Sequence, residues 1–479
     1  MRFHPIALLI AFTLSACTLA ENVEASSSFP ALETRFFPVD AQANVFYLPV
    51  DENTRFPIQF EAGWQTVSLD VENGIGGLSV QSPGSIQNIP IDVVQTNLPV
   101  LCIDMESGNL PEESRQTGKM RFYEANGKGG VQCVSSPIEI NLRGNTSRRY
   151  PKGSYKMTLV NPSDEQQDLA LAGLRMDDDW ILNPMYSDTS KIREALSYWL
   201  WAEINSCGQA AASSSVAYAE VILNGEYYGL YGIQERVDRK QVDANPQTDI
   251  LYKVRTNERP TPEELMRVQG EREYKGIELS FVGMFVTDPW SPAADYIALL
   301  DGEEAAVHST LSIDNAVDYA LWSALVQARD GHYKNQFIHC AFEQGQYTLY
   351  HIPWDLNHTL GDLWNGDAAD TNYLEYAVTR IALDDAVEAL LNHPSEELIS
   401  KLQLRWAELR EGAITEENIL SRAHMLFDTL NPAIQRDSMR WPECGMGEGN
   451  AANIRDIEDY IRVILPRLDG WIRSLATER

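Results

Sequence analysis

The stretch ARDGHYKNQFIHCAFEQGQYTLYHIPWDLN, Ala328 to Asn357, sets an acid, an amide five residues later, two strand-like runs and a second acid in a row. Ser312 is placed to cap a helix through IDNAVDYALWSALVQA, where Ile313, Val317, Ala320, Leu321, Ala324 and Leu325 form an apolar stripe. Asp330 therefore falls on a loop just past a buried helix. Asn335 follows, QFIHCAF and YTLYHI flank EQGQ as a hairpin, and Asp355 comes directly after in PWDLN. Taken alone, the interval fits a solvated turn, because Asp and Asn are common loop residues.

The order acid, amide, hairpin, acid is also what phosphoryl transfer from a nucleotide requires. The first acid orients an attacking hydroxyl or accepts its proton, while the amide oxygen and the second acid hold magnesium on the phosphates. Protein kinases space the Asp and Asn of their catalytic loop at the same interval, with an Asp after the next hairpin. His332 and Lys334 have no role that the interval requires.

Three further stretches bear on this. NLRGNTSRRYPKGSYKMTL, 141–159, gathers three arginines and two lysines on a turn and the strand after it. Alternation along that strand is expected to put Lys152, Ser154 and Lys156 on one face, suited to a polyphosphate; a solvated basic sheet edge is the plainer alternative. WILNPMYSDTSKIREALSYWLW, 180–201, lets Asp188 or Thr189 cap a helix with Arg193 in its first turns. Finally VAYAEVILNGEYYGLYGIQE reads as a hairpin around Asn224-Gly225, a type I′ turn signal, with Glu235 at its end.

The remaining sequence sets the context. A formal net charge of -31, from 38 basic and 69 acidic residues, repels phosphate backbones and argues against nucleic acid and anionic membrane surfaces as partners. MRFHPIALLIAFTLSAC has a basic start, a short apolar run and Leu14-Ser15-Ala16-Cys17, the pattern of a lipoprotein signal peptide over 1–16 whose Cys17 receives the lipid. The mature chain is then expected to be extracytoplasmic and anchored to the cell membrane or outer membrane, with 17–32 as a flexible spacer. Residues 33–92 read as a small β-sandwich-like module without a chemical cluster, and 97–479 as a mixed domain in which helices dominate beyond about residue 310. The fold class is α+β. Among five remaining cysteines, Cys102 with Cys133 is the expected bridge, since both lie on short strand-like segments close in sequence.

RGNTSRRYPKGSYKM, WILNPMYSDTSKIREAL, YYGLYGIQERVD and NQF…YHIPWDLNHTLGD, in this order, resemble the CotH kinase family of spore-coat and cell-surface proteins. The resemblance spans roughly residues 97 to 479 and implies an atypical protein-kinase-like two-lobed fold, here preceded by the small all-β module. It further implies Asp330 as catalytic acid, Asn335 and Asp355 as magnesium ligands, and Lys152 or Lys156 as the nucleotide-phosphate lysine. Arg143 and Asn145 would line the phosphate loop and Glu235 would sit near the adenine of ATP, while Lys253 matches a family lysine of less defined role. The family's usual WDLD is here Trp354-Asp355-Leu356-Asn357, so a second acid has become an amide.

The expected function is thus ATP- and magnesium-dependent phosphate transfer to Ser, Thr or Tyr hydroxyls of exported proteins. The alternative is a weak or inactive nucleotide-binding surface protein used for adhesion or scaffolding, which the amide at Asn357 would favour. A glycan hydrolase using Asp330 and Asp355 as acid and base has no sugar-binding cleft to accompany it in the sequence.

Overall fold

The structure is a computed structural model that describes residues 38–54, 58, 65–72, 75–82, 85–112, 114–144, 146–301, 311–328, 331, 333–362, 395–443 and 454–475. The expected signal peptide, spacer and lipidated Cys17 lie outside these residues, as do Asp330 and Asn145. Helices and mostly antiparallel sheets both occur in quantity, in keeping with the expected α+β class. No helix among the described residues is long and apolar enough to cross a membrane.

The chain divides into two compact units. The first takes the described residues up to Asp104 together with Arg121–Ser135 and Ile222–Tyr227. Its main sheet holds β1 (Val39–Asp40), β2 (Val45–Pro49), β3 (Gln65–Glu72), β4 (Ile75–Ser82) and β5 (Ser85–Thr96) in the order β1-β2-β5-β4-β3. Phe46, Leu48 and Val93 share one core with Val100, Cys102, Tyr123 and Ile222, so the apolar packing continues past residue 92. Asn224 and Gly225 both have positive φ, 49° and 77°, as the expected type I′ turn demands.

In the same unit lie β6 (Val100–Met105) and the adjoining parts of β7 (Gln116–Ala125) and β8 (Val131–Arg143), in the order β6-β7-β8. Cys102 is on β6 and Cys133 on β8, and neither forms a disulfide, against the expected bridge. The reason is the intervening strand: two strand spacings come to roughly 9.5 Å, beyond the roughly 7 Å that a disulfide spans between Cα atoms. Burial pushes the Cys102 thiol up to about 12, leaving it unreactive. Cys207 and Cys340 are also free, and Cys444 falls outside the described residues.

The second unit is built from Met105–Met120, Ser136–Val221 and the described residues from Tyr228 onward. Here β8 pairs with β9 (Ser154–Leu159), β9 with β10 (Asp179–Asn183), and β10 with β12 (Glu226–Glu235), partner of β11 (Val216–Leu223) in the hairpin. Strand β9 starts at Ser154, so Lys152 precedes it and the expected shared face with Lys156 does not arise. Helix α1 (Arg193–Ile204) starts where Asp188 accepts a hydrogen bond from the Arg193 backbone N–H at 2.9 Å, and it buries Leu196, Leu200 and Trp201.

A further sheet combines β13 (Ile250–Val254), β14 (Glu273–Tyr274), β15 (Ile277–Val282), β16 (Gln336–Glu343) and β17 (Gln346–Pro353) in the order β14-β15-β13-β16-β17. The expected hairpin is the β16–β17 pair. Around it lie α2 (Pro262–Leu265), α3 (Ser291–Leu300), α4 (Ile313–Val326), α5 (Glu396–Glu411), α6 (Glu416–Arg440) and α7 (Arg455–Ser474). Ser312 caps α4, its hydroxyl accepting from the Asn315 N–H at 3.3 Å. Ile181 of β10, Leu251 of β13, Phe337 of β16 and Trp354 meet in one apolar cluster, which fixes the two sheets of this unit against each other.

His351 on β17 is fully buried between the rings of Tyr296 and Tyr319, 5.4 and 5.1 Å away, and neither ring nitrogen has a hydrogen-bond partner among the described residues. Burial lowers its pKa to about 4. The unfolded chain, titrating near 6.5, then binds more protons than the fold between these values. Stability from this residue is complete above pH 6.5 and is lost as pH falls towards 4, by roughly 3 kcal/mol at most. Denaturant titrations at several pH values should show a shallower acid loss for His351→Phe than for the parent.

Candidate active site

Three strand ends of the second unit and the start of α1 converge on one pocket. Arg143, the last residue of β8, pairs in register with Ser154, the first of β9, and its Nη1 donates to the Ser154 hydroxyl at 3.3 Å. Both side chains line the pocket, with Ser147 and Tyr150 from the basic turn between them. The opposite wall is Asn183 to Ser187, following β10, and the floor holds Glu194, Gln234, Trp354, Asp355 and Asn357.

Glu194 is the chemical centre of the floor. Asn183 Nδ2 donates to its Oε2, and Gln234 Nε2 and the Tyr198 hydroxyl donate to its Oε1 at 3.0 and 3.3 Å. Burial pushes its carboxyl up to about 7, the negative charge of Asp355 adds to this, and the Asn183 bond and Arg143 oppose it. The Asp355 backbone N–H donates to the Tyr198 hydroxyl at 3.3 Å, so one chain of hydrogen bonds runs from Asp355 to Glu194.

Asp355 itself stands in left-handed backbone, φ 63°, with an exposed carboxylate that has no hydrogen-bond or ion-pair partner among the described residues. Its nearest cationic influences are Arg143, whose charge is opposed by burial and supported by Asp355 and Glu194, and Lys253. Lys253 on β13 lies 5.3 Å from the Phe337 ring centre and 5.2 Å from that of Trp354, and no carboxylate among the described residues hydrogen-bonds to it. Burial, with Arg143 as the next cause, brings its ammonium down to about 8.

Asn335 also has left-handed backbone, φ 59°, and its N–H bonds the Val254 carbonyl at 2.9 Å. Because Gln336 pairs with both Val254 and Pro353, Asn335 and Asp355 leave adjacent strands at one edge of the sheet. Asn357 lines the pocket, and its side-chain N–H donates to Ser187 at 3.1 Å, fixing the far wall.

Other expected residues are placed elsewhere. Lys152 is fully buried, its ammonium 2.7 Å from Asp437 and bonded to the Pro184 and Leu230 carbonyls, which leaves it enclosed by protein. Lys156 is 2.9 Å from Asp179, which also pairs with Arg236 and accepts from Thr158 at 2.6 Å. Glu235 is buried and accepts the Arg175 N–H at 2.9 Å; alternation along β12 brings its neighbour Gln234 into the pocket instead. Arg193 is closed off in an ion pair with Asp188 at 2.8 Å, whereas the adjacent Glu194 faces the pocket. Glu194 was visible in KIREAL as the only acid of the first helical turn, but nothing in the sequence fixes which side of α1 faces the sheet.

The donors fit a magnesium polyphosphate. Asp355 offers a hard oxygen, Asn335 stands at the end of the adjacent strand, and Arg143 and Lys253 offer positive charge with no carboxylate bonded to them among the described residues. A trio of carboxylates away from the pocket, Asp168, Asp177 and Asp178, already surrounds the Lys240 ammonium at 2.8, 3.0 and 2.6 Å. That lysine occupies the place a cation would take.

A family model described as CotH kinase protein matches residues 140–463, which takes in every residue of the pocket. A search of curated proteins finds no match to the chain.

With its carboxyl raised to about 7 in the fold against 4.5 as a free side chain, Glu194 holds a proton in the native state that the unfolded chain has released. Its contribution to stability is complete below pH 4.5 and is lost as pH rises through 7. The stability of Glu194→Gln relative to the parent should therefore climb over this window in paired urea titrations, and an unchanged difference would refute the assignment.

Proposed function

Since the chain belongs to the CotH kinase protein family, we propose that it is an exported, lipid-anchored protein kinase that transfers phosphate from ATP to hydroxyl side chains of exported proteins, with magnesium. The observation that carries this is the free carboxylate of Asp355 set in one pocket with Arg143 and close to Lys253. The same pocket lies where the strand run β8-β9-β10-β12 meets α1 and the Trp354-Asp355 segment, which supports a kinase-like two-lobed arrangement within the second unit.

In this reading Asp355 and Asn335 would hold the metal, which would supply neutralising charge to the nucleotide phosphates. Arg143 and Lys253 neutralise phosphate oxygens, and Lys156 stands two residue pairs further along β9. Asp330 accepts the proton as the acceptor oxygen bonds to the γ-phosphorus and the bond to the bridging oxygen breaks, releasing ADP. The pocket rim between Tyr150 and Tyr186, whose rings stack at 4.6 Å, offers apolar surface for the base. Export and the lipid on Cys17 rest on the sequence pattern, and acceptor identity on the location that follows from it.

One observation favours a second reading. Asn357, where the family pattern has an acid, is engaged with Ser187, so it contributes no charge to a metal. A nucleotide-binding protein with weak or no transfer would follow.

Thermal-shift titration with magnesium and ATP separates these possibilities. The parent should be stabilised by millimolar nucleotide only when magnesium is present, with chelation by EDTA abolishing the shift. Asp355→Ala should lose this shift. Asp330→Asn should retain it yet transfer phosphate at least about a hundredfold more slowly, the size of a general-base effect. Stabilisation without any transfer by the parent would establish the second reading.

A further inference from the structure

Lys152 and Asp437 are 285 residues apart in sequence, yet they form the most enclosed ion pair among the described residues, at 2.7 Å with side chains 0% and 1% exposed. The Lys152 ammonium has two more acceptors, the carbonyls of Pro184 at 3.1 Å and Leu230 at 2.5 Å, and stands 4.6 Å from the Tyr231 ring centre. Lys152 closes the basic turn whose Ser147 and Tyr150 form one wall of the pocket. Pro184 belongs to the opposite wall. A single ammonium thus spans both walls from behind.

Asp437 comes from α6, which supplies no residue to the pocket. Its Oδ1 also accepts from the Leu230 N–H at 2.9 Å, and its Oδ2 has no partner among the described residues. The approach is close enough that a Cβ on Gly229, φ 125°, would overlap Asp437 and crowd Trp441. A second anchor of α6 is the ion pair of Arg436 with Glu220 on β11, neither of which lines the pocket.

We propose that Asp437 is a positioning residue for the pocket: through Lys152 it fixes the spacing of the basic turn and the 183–187 wall, so that ligand binding depends on the seating of the C-terminal helix α6. The ligand in question is the magnesium nucleotide, on the reading given above, but the coupling concerns this chain's own walls. Removing one partner of a buried pair leaves the other charge uncompensated, and the walls then part or admit water.

Hydrogen exchange on the full-length chain tests the coupling without any ligand. Asp437→Asn should speed exchange in both 144–154 and 183–187. The paired change Arg436→Gln with Glu220→Gln should not, even when it lowers the melting temperature by as much. Should Asp437→Asn not fold, Lys152→Met with Asp437→Leu leaves no uncompensated charge but still removes the ammonium's bonds to the Pro184 and Leu230 carbonyls, and should speed exchange in both segments at little cost in melting temperature. Titration with magnesium and ATP should then give about tenfold weaker binding for the Asp437 variants and parental binding for the Arg436 pair. Unchanged exchange in the two segments, or equal loosening by the Arg436 pair, overturns the proposal. A parent that binds no nucleotide refutes the kinase reading and leaves the exchange result to decide the coupling.

Discussion

Alternation of side chains along paired strands decides which residues this pocket contains. Once Arg143 is set opposite Ser154, and Trp180 opposite Glu235, every second residue of β9, β10 and β12 is committed to one face. Gln234 and Asn183 then reach Glu194, while Glu235 turns to the backbone of Arg175. The pocket is less a set of selected residues than the consequence of two registers and one helix start. The helix start is itself pinned by Asp188, which takes both the Arg193 N–H and its guanidinium.

Electrostatics adds a second condition. In a chain of net charge -31, unpaired positive charge is scarce, and most cations near the second unit's sheet are bound to carboxylates, as Lys156 is to Asp179 and Lys240 to its three acids. Arg143 and Lys253 differ, being held against Trp354, with Arg143 6.0 Å from its ring centre. Aromatic faces attract a cation without neutralising its charge. Such cations remain available to an incoming anion, and the surrounding negative field limits which anions approach without a metal.

Much of this was legible in the sequence, and unevenly so. Local signals held: Ser312 as a cap, the Asn224-Gly225 turn, and the hairpin after Asn335 each depend on neighbours within a few residues. Arg143 and Asp355, named from the family resemblance, both line the pocket. What failed were inferences needing a strand's first residue or a helix's facing: Lys152 lay two residues before β9, and Glu194 was passed over for Arg193. The partner of Lys152 could not be read at all, since nothing local connects it to α6. Cys102 and Cys133 looked close because they are near in sequence, whereas sheet order places a strand between them.

The left-handed backbone at Asn335 and Asp355 acts as a filter on amino-acid type. Among residues with side-chain oxygens, Asp and Asn tolerate that conformation best, and longer or branched ones do so poorly. Change at these two positions is therefore channelled between an acid and its isosteric amide, a step that alters charge by one unit while leaving the chain path intact. A scaffold of this kind can gain or lose chemistry by single substitutions at no structural penalty. An Asp355→Asn exchange would remove the pocket's exposed carboxylate while keeping the backbone corner that places it.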